Sequence, residues 1–170
     1  MQIWSTTMMR RRRAQRFAEN ARAWYENCRT ISGICVDALY DQDAARIDTH
    51  AVFGKIDDLL RFGLREQTPS VRRILRQGNP GLARRFGEAS ENVIRLRNQT
   101  LRFVLNCQGP GSFSANGSAT GVAQQIYYYR ALDEVGFAAR QLTGEVDREL
   151  QSIWDEVHGL VIQAERLPAT

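Results

Sequence analysis

The 170-residue sequence predicts an all-α fold: an antiparallel bundle of four long helices plus a short connecting helix, ending in a long C-terminal helix. Three observations predict it. Apolar residues recur at steps of three and four over most of the chain, the spacing that lines one face of a helix. The only prolines are Pro69, Pro80, Pro110 and Pro168, so long stretches lack a helix breaker. No run alternates apolar and polar residues as a half-buried strand does. At this length, with 43% hydrophobic residues, residues 1–170 read as a single domain with one core.

Residues 1–9 read as a frayed end. From Arg10 to Tyr40 one helix is expected, because Ala14, Phe17, Ala21, Trp24, Cys28, Ile31, Cys35 and Ala38 form an unbroken heptad seam. Gly33 weakens that helix by roughly 1 kcal/mol relative to alanine and would admit a close neighbour. Asp41–Gln42–Asp43 is the expected turn. A second helix runs from Ala45 to Glu66, with Val52, Ile56, Leu59, Leu60 and Leu64 inward. Thr68–Pro69 then resembles an N-cap with proline at the first helical position, opening a short helix from Ser70 to Gln77.

Gly78–Asn79–Pro80 stops that helix and, with Asn79 as cap, starts another over Leu82–Cys107. Its inward set is Leu82, Phe86, Ala89, Val93, Leu96 and Val104. Residues 109–121 (GPGSFSANGSATG) read as a flexible loop. From Val122 to Ala164 thirteen apolar positions then repeat with a mean spacing of 3.5, the coiled-coil period. A helix of that length reaches roughly 65 Å. Leu167–Pro168 ends it. The last helix outruns its partners, so one end is expected to project as a two-helix or a lone coil whose apolar seam needs another chain to cover it.

Lys55 is the only lysine among 23 basic residues; the other 22 are arginine. A GC-rich genome would produce the same bias, but the physical consequence holds either way. Guanidinium groups are planar, permanently charged, and fork onto phosphates or carboxylates. The charge is unevenly placed. Residues 61–102 hold ten arginines against three acids, whereas residues 113–170 hold four arginines against eight acids. Such asymmetry points to a polyanion on one face or to contacts between subunits.

Two arginine groups stand out. Arg10, Arg11, Arg12 and Arg13 form a tetrabasic run at a helix start, where positive charge opposes the helix dipole. Arg84, Arg95 and Arg102 fall on one face of the fourth helix, opposite its apolar set, with Arg72, Arg73, Arg76 and Arg85 beside them. A row of guanidinium groups along a rod tracks a phosphate backbone largely without regard to sequence. A solvated helix face is the competing reading. Tyr127 and Tyr128 point away from the expected seam and could stack on bases, or pack against neighbouring helices; Tyr129 belongs to the seam.

Catalysis and cofactors find little support. Asp155 and His158, three residues apart, resemble half of a di-metal bundle site, but His50, the only other histidine, has Ile47 at the matching position. The glycine-rich loop lacks the lysine of a phosphate-binding P-loop. Cys28, Cys35 and Cys107 have no metal-like spacing and suit buried thiols in a reducing compartment. No metal and no cofactor are expected. The Arg10–Arg13 run is not followed by the apolar core of a secretory signal, no stretch reads as a membrane span, and the expected location is cytoplasmic.

In size, in its helical pattern over nearly the whole chain and in the arginine stripe from Arg72 to Arg102, the chain resembles the small helical subunits of CRISPR effector complexes. The resemblance is one of outline, with no signature motif. It implies several copies packed side by side, with Arg72, Arg73, Arg76, Arg84, Arg95 and Arg102 on nucleic-acid backbone. The expected function is thus a non-catalytic subunit of a nucleoprotein complex, binding RNA or single-stranded DNA together with other protein subunits and with self-association. A scaffold bundle without nucleic acid is the alternative, and a peripheral membrane protein holding anionic lipid through Arg10–Arg16 is a third.

Overall fold

A computed structural model describes residues 8–108 and 119–167. The frayed end expected over residues 1–9 falls outside them except for Met8 and Met9, which begin the first helix. The loop expected over residues 109–121 falls outside them over 109–118, while residues 119–121 are helical and open the last helix. The described chain is helical, with no strand among the described residues. Helix α1 (Met8–Tyr40) is followed by a 3-10 turn (Ala44–Arg46) and by α2 (Thr49–Leu59). A single π turn (Leu60–Leu64) joins α2 to α3 (Arg65–Gly78). Helix α4 (Pro80–Cys107) and the 47-residue α5 (Ala119–Glu165) complete the bundle.

Side-chain links fix the directions. Arg22, near the middle of α1, meets Glu165 at the end of α5, and Arg140 of α5 reaches Leu39 at the end of α1. Arg85 and Asn92 of α4 bond to Glu156 and Glu149 of α5 in antiparallel order. Asn20 and Asn27 of α1 bond to Ser70 and Gln67 of α3, again antiparallel. The four rods therefore alternate up and down, as short connections require.

The core is the predicted seam of α1: all eight positions from Ala14 to Ala38 are buried. All six inward positions of α4 are buried as well. At the centre Trp24 packs on Phe86 with ring centroids 4.0 Å apart and donates its indole N–H to Ser90 Oγ at 2.8 Å. Ser90 donates in turn to the Phe86 carbonyl, so the indole N–H is satisfied without water.

The connection between α1 and α4 departs from expectation. The second helix starts at Thr49 instead of Ala45, because Asp48 caps it by accepting from the Ala51 N–H at 3.1 Å. It does not stop at Thr68–Pro69. Pro69 lies inside α3, and the break falls upstream at the π turn. A proline removes one backbone donor and crowds the carbonyl four residues back, and widened turns are where helices absorb such misfits. Asn79 caps α4 as predicted, accepting from the Leu82 N–H at 3.0 Å with Pro80 at the first helical position.

Helix α5 is buried along Ala139, Leu142, Val146, Leu150, Ile153, Val157 and Ala164, but its predicted seam drifts out at the N-terminal end. Ile126 and Tyr129 are exposed, while Tyr128 turns inward beside Cys107. Between Ile126 and Val135 the predicted positions fall in three consecutive steps of three, each of which turns the line by about 60° at 100° per residue, so Ile126 lies about 180° around the helix from Val135. Helix α1 ends opposite Arg140, whereas α4 accompanies α5 as far as Tyr128. The projecting end is thus a two-helix pair. Gly33 admits no neighbour: it is exposed and a Cβ there would meet nothing within 4 Å.

Candidate nucleic-acid interface

The start of α1 and the middle of α3 build a groove of about 330 Å³ lined by Arg12, Arg13, Arg16, Ser70, Arg73 and Ile74. Arg12, Arg13 and Arg16 reach one region because residues three and four apart on a helix share a face. Helix α3 is set against them by the Asn20–Ser70 hydrogen bond of 3.0 Å, one turn further along α1. Buried Phe17, Val71 and Ile74 pin both helices beneath the groove. Arg12, Arg13, Arg16 and Arg73 are exposed, and none has an ion-pair partner among the described residues. Four mutually repelling guanidinium groups around one depression create a field that an anion relieves.

The other predicted arginines divide into three kinds. Arg84, Arg95 and Arg102 are exposed on α4, as the stripe requires, with Arg84 only loosely approached by Glu88 at 4.0 Å. Arg102 shares a shallow depression with Asn98 and Arg97. Arg76 is exposed on α3. Arg10 and Arg72 are half-buried, each with an Nε hidden from solvent and unpartnered. The Arg72 guanidinium lies over Gly87, where a Cβ would come within 2.7 Å of its Cζ, so this side chain packs on α4 as well as facing out. Arg11 turns to another depression, with Glu19, Arg22 and Glu165, and so separates from Arg12 and Arg13.

Arg85, placed beside the stripe by its spacing, instead ties α4 to Glu156 at 2.7 Å and Ser152 at 3.1 Å. Arg97 is clasped by both carboxylate oxygens of Asp57 at 3.0 Å and lies over the Phe53 ring. Arg22 is held the same way by Glu165 at 2.8 and 3.0 Å, and this pairing holds the Glu165 carboxyl below its ordinary value. These arginines are spent on joining helices. The sequence stripe is therefore thinner than its arginine count implies.

Sequence reasoning missed Arg16 and Ser70 as members of the groove. The signal was present in the i, i+3 and i, i+4 relation of Arg13 and Arg12 to Arg16; the partner on α3 required the fold. Tyr127 and Tyr129 are exposed, and Tyr128 is half-buried with its hydroxyl pushed above its ordinary value by burial and by Cys107. His158 stacks on Trp154 at 5.0 Å, and Asp155 accepts from Gln151 at 2.8 Å. The pair is not turned to a common ligand. No group of three His, Cys, Asp or Glu side chains converges as metal ligands would, and no helix is long and apolar enough to cross a membrane, among the described residues. No protein-family model, no curated protein and no solved structure matches the chain.

Proposed function

We propose that this chain is a non-catalytic subunit that holds nucleic-acid backbone within a larger nucleoprotein complex, with the Arg12–Arg13–Arg16–Arg73 groove as its principal contact. The observation that carries the reading is the convergence of four exposed arginines that no carboxylate neutralises among the described residues. Ser70 at the groove wall adds a hydroxyl suited to a phosphate oxygen. The α4 row Arg84, Arg95 and Arg102 supplies a second set of contacts, spaced over roughly 27 Å of helix. RNA or single-stranded DNA fits a surface that offers charge and hydrogen-bond donors without base-reading geometry. A small helical subunit of a CRISPR effector complex is one concrete form of such an assembly.

Binding to a fluorescent single-stranded oligonucleotide, measured over a range of salt, tests the proposal. Replacing Arg12, Arg13 and Arg73 together with glutamine is expected to lower the log–log salt slope by about two to three, with helicity unchanged. The matching Arg84, Arg95 and Arg102 triple serves as comparison and is expected to have the smaller effect. An unchanged affinity in the first triple, or a loss confined to the second, overturns the groove assignment.

A scaffold function is the second reading. It is favoured by the two ion pairs that tie arginines to carboxylates of α5, Arg22–Glu165 and Arg85–Glu156, which show arginine serving as a helix-to-helix strut here. Purification without nuclease separates the two, since a nucleic-acid subunit carries the ultraviolet absorbance of bound bases with it.

A further inference from the structure

The projecting end of α5 has a pattern the nucleic-acid reading does not use. Ile126 and Phe137 are exposed at 50% and 60%, large apolar side chains on a helix whose apolar residues from Ala139 onward are buried or half-buried. Between them on the same outward strip lie Arg130 and Asp133, both exposed and neither with an ion-pair partner among the described residues. At 100° per residue, positions 126, 130, 133 and 137 fall within about 60° of one another around the helix, with steps of four, three and four. That order is symmetric about the midpoint between Ala131 and Leu132.

We infer that this strip is the interface with a second copy of the chain, the two α5 ends crossing antiparallel about a two-fold axis between residues 131 and 132. Such a pairing sets Ile126 of one copy against Phe137 of the other, twice, and Arg130 against Asp133, twice. A two-fold interface demands a patch complementary to itself, and a sequence that reads apolar, positive, negative, apolar is complementary to its own reversal. Parallel pairing in register would set Arg130 on Arg130 and Asp133 on Asp133, so charge selects the antiparallel arrangement. Three helical turns make a small contact, below the size of a permanent dimer interface, so the association is expected to be weak and reversible. The pairing rests on α5 alone and is independent of the basic groove.

Sedimentation equilibrium of the nuclease-treated full chain at low salt, over micromolar concentrations, is expected to show a monomer–dimer equilibrium that weakens as salt is raised. Arg130→Glu brings two carboxylates face to face across the two-fold axis, and Asp133→Arg brings two guanidinium groups together there. Each variant alone is expected to dissociate about ten-fold or more readily. An equimolar mixture of the two restores opposite charges at both contacts and is expected to recover the dimer, as is the double variant R130E/D133R. Every substituted residue is exposed, so circular dichroism is expected to stay unchanged. A chain that remains monomeric throughout, a larger oligomer, or a dimer insensitive to the reversals overturns the inference, as does a mixture that fails to recover. Oligonucleotide binding is read separately, so failure here leaves the groove proposal standing and the converse holds too.

Discussion

Gly33 and Gly136 sit on packed neighbours, α1 and α5, yet their surroundings are opposite. A Cβ on Gly33 meets nothing within 4 Å, whereas one on Gly136 comes within 2.8 Å of the Phe103 ring, itself covered by Arg140. Gly33→Ala is therefore expected to stabilise the protein by roughly 0.5–1 kcal/mol through helix propensity alone. Gly136→Ala is expected to destabilise it by about 1–2 kcal/mol, because the packed ring has to move. Chemical denaturation of both variants checks the pair. The thiols follow burial in the same way. Burial raises Cys28 and pushes Cys35 up to about 11, whereas Cys107 is raised by the same cause but is only half-buried. A thiol reagent is expected to label Cys107 in the native protein and the other two only on unfolding. A raised acid is neutral when folded, so its contribution is complete below the ordinary thiol value of 9.0 and is lost as pH rises toward about 11. Thermal melts are expected to fall across that alkaline window, and less steeply in a Cys28→Ala, Cys35→Ala chain.

Among the elements, α2 to α4 show how local chemistry sets boundaries. Asp48 and Asn79 each accept a backbone N–H at a helix start, and Asp48→Ala or Asn79→Ala is expected to cost about 1 kcal/mol, read from the denaturation midpoint. Asn79 was legible because glycine and proline flank it. Asp48 was not, because Asp41, Asp43 and Asp48 all lie ahead of the apolar run that begins at Ala51 and only tertiary packing selects among them. Gln108 contributes to that selection by donating to the carbonyl of Ile47 at 2.6 Å, which holds the 3-10 turn against the end of α4. The π turn at Leu60–Leu64 left no sequence signature beyond the proline that follows it. Helix propensity alone cannot say whether a proline ends a helix or is carried through it.

At the scale of the molecule, the basic groove and the projecting end of α5 lie at opposite extremes. The end of α5 lies along the first half of α1, where Arg11 and Arg22 share a depression with Glu165, and the exposed strip lies near the other terminus of α5. The 47 residues of α5 span about 70 Å. Two copies crossing between residues 131 and 132 would extend to on the order of 100 Å, with a groove near each end. Small-angle scattering across the dimerisation range is expected to show that lengthening. A side-by-side dimer would thicken the particle without lengthening it.

The all-helical fold, the core seams of α1 and α4 and the exposure of Arg84, Arg95 and Arg102 followed from the sequence, because helical periodicity is local and each of these faces is set by its own helix. The groove did not, since Arg12, Arg13 and Arg16 find Arg73 only when Asn20 and Ser70 bring α1 and α3 into register. Nor did the fate of Arg85 and Arg97, whose charge is absorbed by carboxylates 71 and 40 residues away in the chain. Periodicity tells which side of a helix faces out; which outward charges remain unpaired depends on what the neighbouring helix presents, and that is decided in three dimensions.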